Sequence, residues 1–290
     1  MNTPPPKTER EEVSEVVEEA REKSVERASK LSSRLIHEVI RRDGEEELRR
    51  PFNSLFWSGV AAGVLISFSI IGKGTFRTYL PDNEWRHIIE NAGYSFGFLL
   101  VMLGRMQLFT ENTIMTVLPV MTRPDIDGLR RLARLWAGVL AANVIGCFIA
   151  ATAMAYLPVM PEEMPAAIAD LAWHVMEIPA FESFARGVPA GILIAALVWM
   201  LPQANAASFW VIAVFTWLIG VAGFTHIVAG SVEMAYLMVL GQLPLMDAVF
   251  GFFVPVLLGN VVGGTLIFTF LAFAQVRQEL PDDTLPDDTG

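Results

Sequence analysis

One cysteine, Cys147, occurs in 290 residues, which excludes a disulfide framework or a cysteine-built metal site within one chain. Histidine is nearly as scarce: there are four, and only His226 falls well inside an apolar run. No paired catalytic groups, metal-ligand cluster or phosphate-binding glycine loop appears, so the chain does not read as an enzyme and implies no cofactor. Lys and Arg are absent from residues 157–180, although Glu162, Glu163, Asp170 and Glu177 are there. The first 50 residues are strongly charged and lack the apolar stretch of a cleavable signal peptide, so the first apolar segment is expected to act as an uncleaved insertion signal.

Apolar sequence is plentiful. At 53% hydrophobic and a mean hydropathy of +0.45 the chain exceeds an ordinary soluble domain. Six runs reach membrane-spanning length: 54–76, 88–121, 131–156, 181–201, 208–240 and 247–274. The reading is an all-α membrane protein whose partner is the lipid bilayer. It divides into a charged N-terminal helix over 1–50, a transport domain over 51–277 and an acidic tail over 278–290. Eleven Lys and Arg lie in the first 50 residues, and Arg123, Arg130, Arg131 and Arg134 follow the second segment. With the bare 157–180 loop, they place both termini in the cytoplasm. The net charge of −10 is spread over the tails and outer loop, and no nucleic-acid partner is expected.

The halves of the chain repeat. Gly59-Val-Ala-Ala-Gly63 opens segment one and Gly187-Val-Pro-Ala-Gly191 opens segment four, 128 residues later. Asn143-Val-Ile-Gly146 in segment three returns 117 residues later as Asn260-Val-Val-Gly263 in segment six. Segments two and five are longer than one span needs. Each is broken by polar residues, at Leu108-Phe-Thr-Glu-Asn-Thr113 and at Phe224-Thr-His226. Paired broken helices in a repeat point to a binding or conduction site near the bilayer midplane, where non-helical backbone survives only if protein buries it or water lines it. Small residues crowd segments one, three, four and six and allow close helix crossings.

The flanks carry less. From Glu9 a stripe of Val13, Val17, Ala20, Ser24, Ala28, Leu31, Leu35 and Val39 recurs at helical steps. Asp43-Gly44 is expected to end that helix, which packs on neighbours or the membrane face, or serves as a gate. The tail Leu280–Gly290 repeats an acidic Pro motif and is expected to be disordered.

The Leu108-Phe109-Thr110 break, the His226 break and the run Gly259-Asn-Val-Val-Gly-Gly264 resemble the formate/nitrite transporter family. The resemblance spans most of residues 52–277, and Gln107–Thr113 with Thr225-His-Ile-Val228 looks closest to its YfdC-like branch. It implies an aquaporin-like inverted repeat with segments two and five broken. It also implies a homopentamer with one pore per protomer in the bacterial inner membrane, passing small monovalent anions. By motif position it puts His226 and Thr110 at the middle of the pathway and Phe98 and Phe109, beside Leu108, at the cytoplasmic constriction. Tyr94, Ile194 and Ile219 fall at the periplasmic one. This chain departs from the pattern where Gly230 and Gly191 replace asparagines, and where Val175, beside His174, replaces a lysine.

Each site residue has a chemistry of its own. The imidazole of His226 can donate to a passing anion or share a proton with it, and can equally cap the break. Thr110 can offer its hydroxyl to His226 or to the anion, or cap the half-helix after it. Half-helix N-termini aimed at the pore favour anions without a fixed cation. Arg105, Glu111 and Glu233 are ionisable groups at membrane depth. The first two read either as a salt bridge pinning the loop or, for Arg105, as an anion collector at the mouth. Asn143 and Asn260 are expected to bond the loose backbone of the breaks. The leading function is a channel or transporter for small monovalent anions or their weak acids, with possible proton coupling through His226. The alternatives are a neutral-solute pore of aquaporin type, against which the absence of Asn-Pro-Ala weighs, and a scaffold without transport, against which Thr110 and His226 weigh.

Overall fold

The computed structural model describes residues 31–279, and every described element is helical. The stripe from Glu9 to Ala28 and the acidic tail lie outside the described residues. Helix α1 (Ser33–Arg49) starts where Ser32 caps it with its hydroxyl. Four apolar runs are long enough to cross a membrane: α2 (Phe52–Tyr79), α5 (Ile126–Tyr156), the stretch Ala180–Val221, and α10 (Asp247–Glu279). Between them lie α3 (Tyr94–Leu103), α4 (Phe109–Met115), α6 (Met164–Met176) and α9 (Ile227–Val239). The 42 residues of Ala180–Val221 would reach about 63 Å as one rod, twice a bilayer core. They do not stay straight. Asn205, at φ 45°, breaks the run into α7 (Ala180–Ala204) and α8 (Ser208–Val221), which pack on each other.

The repeat governs the packing. The first half of α2 lies along α5, and α7 lies along α10 in the same way. Glycines set both crossings: a side chain on Gly63 would strike the backbone of Asn143, and one on Gly191 that of Asn260. Gly191 therefore has no room for the asparagine that the family pattern calls for. Helix α10 carries π turns over Asp247–Phe253 and Val262–Thr269, the second beside the glycines that let α7 approach.

Two sequence expectations change here. Asp43-Gly44 does not end α1, which runs on to Arg49. Gly44 sits inside it because any side chain there would meet the Met115 carbonyl. The buried stripe is accordingly Ile36, Ile40, Gly44 and Leu48, while Leu35 is exposed. The 157–180 segment is also not simply a loop, since α6 fills 13 residues of it and packs against α2 and α9.

Candidate functional site

In each half a short link joins two helices, α3 to α4 and α8 to α9. Helix α3 ends with the Met106 N–H donating to the Val101 carbonyl (3.0 Å) and the Arg105 N–H to that of Met102 (3.1 Å). Helix α8 ends with the Phe224 N–H donating to Ile219 (3.0 Å) and the Gly223 N–H to Gly220 (3.2 Å). Both are six-to-one and five-to-two closures with a left-handed residue at the turn, Arg105 at φ 53° and Gly223 at φ 65°. A short extended link follows, and then α4 or α9 begins.

Two asparagines hold those links open. Asn143 Oδ1 accepts from the Phe109 N–H (2.9 Å), and its Nδ2 donates to the carbonyls of Gly59 and Gln107 (2.8 Å each). Asn260 Oδ1 accepts from the Ile227 N–H (2.8 Å), and its Nδ2 donates to those of Gly187 and Thr225 (2.9 Å each). Both side chains are fully buried. Every link carbonyl that they reach would otherwise be an unpaired dipole in a dry interior.

The two restarts meet at one contact. Thr110 Oγ1 lies 2.8 Å from His226 Nε2, and both residues are buried. His226 Nδ1 accepts from the Ala229 N–H at 3.2 Å, so the imidazole proton of the neutral ring belongs on Nε2 and is donated to Thr110 Oγ1. The threonine hydroxyl keeps its own hydrogen for another acceptor. Phe98 stands edge-on to His226 with ring centroids 5.0 Å apart, and Tyr94 lies 5.3 Å from Phe98.

Cavities open at two places. The larger, about 780 Å³, is lined by Leu108, Arg105, Glu111 and Gln107 together with Asp43, Glu46, Glu47 and Arg50 of α1 and its end. Gln107 donates from Nε2 to Glu47 Oε2 at 2.8 Å, and Asn112 donates to Gln107 Oε1 at 3.1 Å, so α1 is tied to the first link. Burial pushes the carboxyls of Asp43 and Glu47 above their ordinary range. The smaller cavity, about 150 Å³, holds His226, Tyr94, Gly230, Glu233, Lys73, His174 and Val175 in its lining.

Not every expected residue reaches these spaces. Leu108 lines the larger cavity, but the ring of Phe109 packs edge-on against Trp136, with centroids 5.5 Å apart. Its backbone serves the link, while its side chain fills the core between helices. Ile194 and Ile219 are fully buried and line neither cavity. Arg105 and Glu111 share the larger cavity without forming a salt bridge among the described residues, and Glu111 Oε1 is buried without a hydrogen bond. Lys73 and Arg186 were not singled out from sequence, yet both line the smaller cavity. A lysine inside the apolar run of segment one was a readable signal.

The formate/nitrite transporter model matches residues 34–274. The chain belongs to that family. Among the formate/nitrite transporters and their kin, it is 44% identical over 245 residues to the inner membrane protein YfdC of Escherichia coli, covering 84% of this chain and 79% of that one. It is 25% identical to the formate channel FocA of Haemophilus influenzae, covering 75% of this chain and 84% of the relative. Its fold is similar to that of a pentameric formate channel with formate bound, with a TM-score of 0.68 at 20% identity over 78% of this chain and 98% of that structure. An ion channel of the same family superposes with a TM-score of 0.69 at 19% identity.

Proposed function

We propose that this protein is a membrane channel or transporter for small monovalent anions and their weak acids. Six spans in an inverted repeat, with the second and fifth broken at Gly104–Leu108 and Ala222–His226, carry it. Both termini lie on the cytoplasmic side of a bacterial inner membrane, so the 780 Å³ cavity is the inner mouth and the 150 Å³ cavity the outer chamber. Five protomers assemble, each with its own pore. Large apolar side chains on the outside, among them Trp57, Phe181, Trp210 and Phe250, supply the surface that lipid or neighbouring protomers cover.

The observation that carries this reading is the Thr110–His226 contact at 2.8 Å, where the two breaks meet. Family membership gives the setting. The pair puts one titratable ring in the wall of the smaller cavity and one free hydroxyl hydrogen directly beside it. A solute in the outer chamber loses water against Tyr94 and lies beside His226 in the same wall, with the Phe98 ring edge-on to that histidine. It then meets a donor that replaces part of its hydration. His226 can take up or release a proton only by exchanging its bonds to Thr110 and Ala229, which ties proton movement to solute passage.

The test is uptake of formate and other small anions into proteoliposomes, with and without a pH gradient, for wild type and His226→Asn. Asparagine keeps hydrogen-bonding capacity and cannot titrate between pH 5 and 8. Wild type is expected to show pH-dependent uptake that the variant lacks. Superimposable pH–flux curves would remove His226 from proton handling, and no uptake of any anion by wild type would remove the transport function itself. Native mass spectrometry of the detergent-extracted protein reads the pentamer.

A further inference from the structure

The outer chamber contains more charge than a simple anion funnel needs. Arg77 pairs with Asp170 (3.0 Å) and lies 3.7 Å from Glu90. Glu90 is also 3.9 Å from His87, whose Nε2 lies 3.0 Å from the Val221 carbonyl. Arg186 pairs with Glu182 and donates to the Gly223 carbonyl at 3.5 Å. The two nitrogens of His226 are taken by Thr110 and Ala229. These groups are held by protein partners. Two are not.

Lys73 of α2 and Glu233 of α9 both line the chamber, and neither engages a hydrogen bond or close ion pair among the described residues. Glu233 is only 4% exposed. Both side chains face the same 150 Å³ space. The Lys73 ammonium sits 5.7 Å from the centre of the Tyr94 ring, the first of the rings that lead through Phe98 to His226. A buried carboxylate beside the route works against a bare anion, because like charges at short range in a poorly solvated space repel strongly. An ammonium in the same wall works against a bare cation for the same reason.

We infer that Lys73 and Glu233 form a two-point site for a small carboxylic acid in its protonated form. The acid's carbonyl oxygen accepts from the Lys73 ammonium, and its O–H donates to the Glu233 carboxylate. A planar acid with adjacent donor and acceptor satisfies both groups at once. An anion without a proton satisfies only the lysine and faces the carboxylate unpaired, which is a rejecting device as well as a binding one. The proton comes from the outer solution with the anion and leaves with the acid on the far side, so one proton crosses with each carboxylate. This specificity rests on the transport reading above and adds two residues to it.

The experiment compares formate with nitrate, an anion that stays unprotonated in water, in proteoliposomes carrying the full chain and a lumenal pH dye. Wild type is expected to move formate in preference to nitrate and to acidify the lumen as formate enters. Glu233→Gln, which removes the charge and keeps the shape, is expected to raise nitrate flux about tenfold or more and so narrow the preference. Lys73→Met is expected to lower formate flux about tenfold, and it reads the same chamber from a different helix should the Glu233 variant fail to assemble. A formate-to-nitrate ratio within about twofold of wild type in Glu233→Gln, or unchanged formate flux in Lys73→Met, overturns this inference alone. Wild type that carries neither solute overturns the transport reading and this one together.

Discussion

Arg105 and Gly223, 118 residues apart, occupy the same left-handed position at the ends of α3 and α8, with φ of 53° and 65°. Glycine is the ordinary residue there, because an L side chain in that region costs roughly 1–2 kcal/mol. Keeping an arginine on the larger cavity side has a cost that only its side chain can justify. Arg105→Gly is therefore expected to leave melting temperature in detergent unchanged or higher while altering anion flux, and Gly223→Ala to destabilise by about 1 kcal/mol. Equal destabilisation by both would show that the Arg105 side chain, rather than the turn, holds the first break together.

Asn143 and Asn260 each bond three backbone groups at the two links. Replacing either by alanine leaves one buried N–H and one buried link carbonyl without partners, each worth about 1–3 kcal/mol, and takes a second bond from a helix carbonyl. Asn143→Ala and Asn260→Ala are each expected to lose at least about 3 kcal/mol and to fail to assemble, as read by thermal melting and size-exclusion chromatography. Asparagine to alanine changes that melt within about 1 kcal/mol of wild type would mean that water replaces both carbonyl contacts.

Sequence reading reached the repeat because hydrophobic runs, glycine spacing and the polar breaks are all local signals. Asn143 and Asn260 were legible for the same reason, as single amides in apolar runs at matching offsets. Phe109 was not, because its rotamer depends on Trp136, which lies far along the chain and fills the space beside it. Nor did the stripe on α1 reveal its docked face, since Gly44 has no apolar side chain and matters only through the Met115 carbonyl that it admits. Lys73 and Glu233 stand out as charges in apolar runs, but 160 residues separate them. Their sharing of a chamber is a property of the folded bundle alone.

His37 gives the docking of α1 a pH dependence. The ring is fully buried, both nitrogens lack partners, and it lies 5.9 Å from the Phe273 ring. Burial first, and then the nearby Arg41, hold its pKa below the ordinary histidine value of 6.5. The undocked helix thus binds more protons than the docked one as pH falls below about 6.5, so docking is full above that value and weakens below it. Glu38, pulled down to about 2 by its bonds to Arg41 and Arg42, loses its contribution only as pH falls from 4.5 toward that value. Asp43 and Glu47 are shifted upward, which acts in the opposite sense near the carboxylate range. With the intrinsic slowing of amide hydrogen exchange at lower pH divided out, exchange of residues 33–49 is expected to accelerate between about pH 7 and about pH 5.5 in wild type and to stay flat in His37→Phe. The same acceleration in the variant would assign the effect elsewhere.

Val175, which the family resemblance sets at the position of a lysine, lines the 150 Å³ chamber with Lys73, Glu233 and His226. A second ammonium there would offset the Glu233 carboxylate that works against a bare anion. Two unit charges 4 Å apart at an effective dielectric near 20 interact by about 4 kcal/mol, and even a quarter of that is roughly fivefold in occupancy. Val175→Lys is therefore expected to raise formate uptake several-fold, and to raise nitrate uptake more, because the unprotonated anion has most to gain from the added charge. Proteoliposome flux with a correctly assembled variant measures both. If every anion tested enters at the wild-type rate, position 175 does not lie on the anion route, and the cation lost from this chain relative to its family has no counterpart at that wall of the chamber.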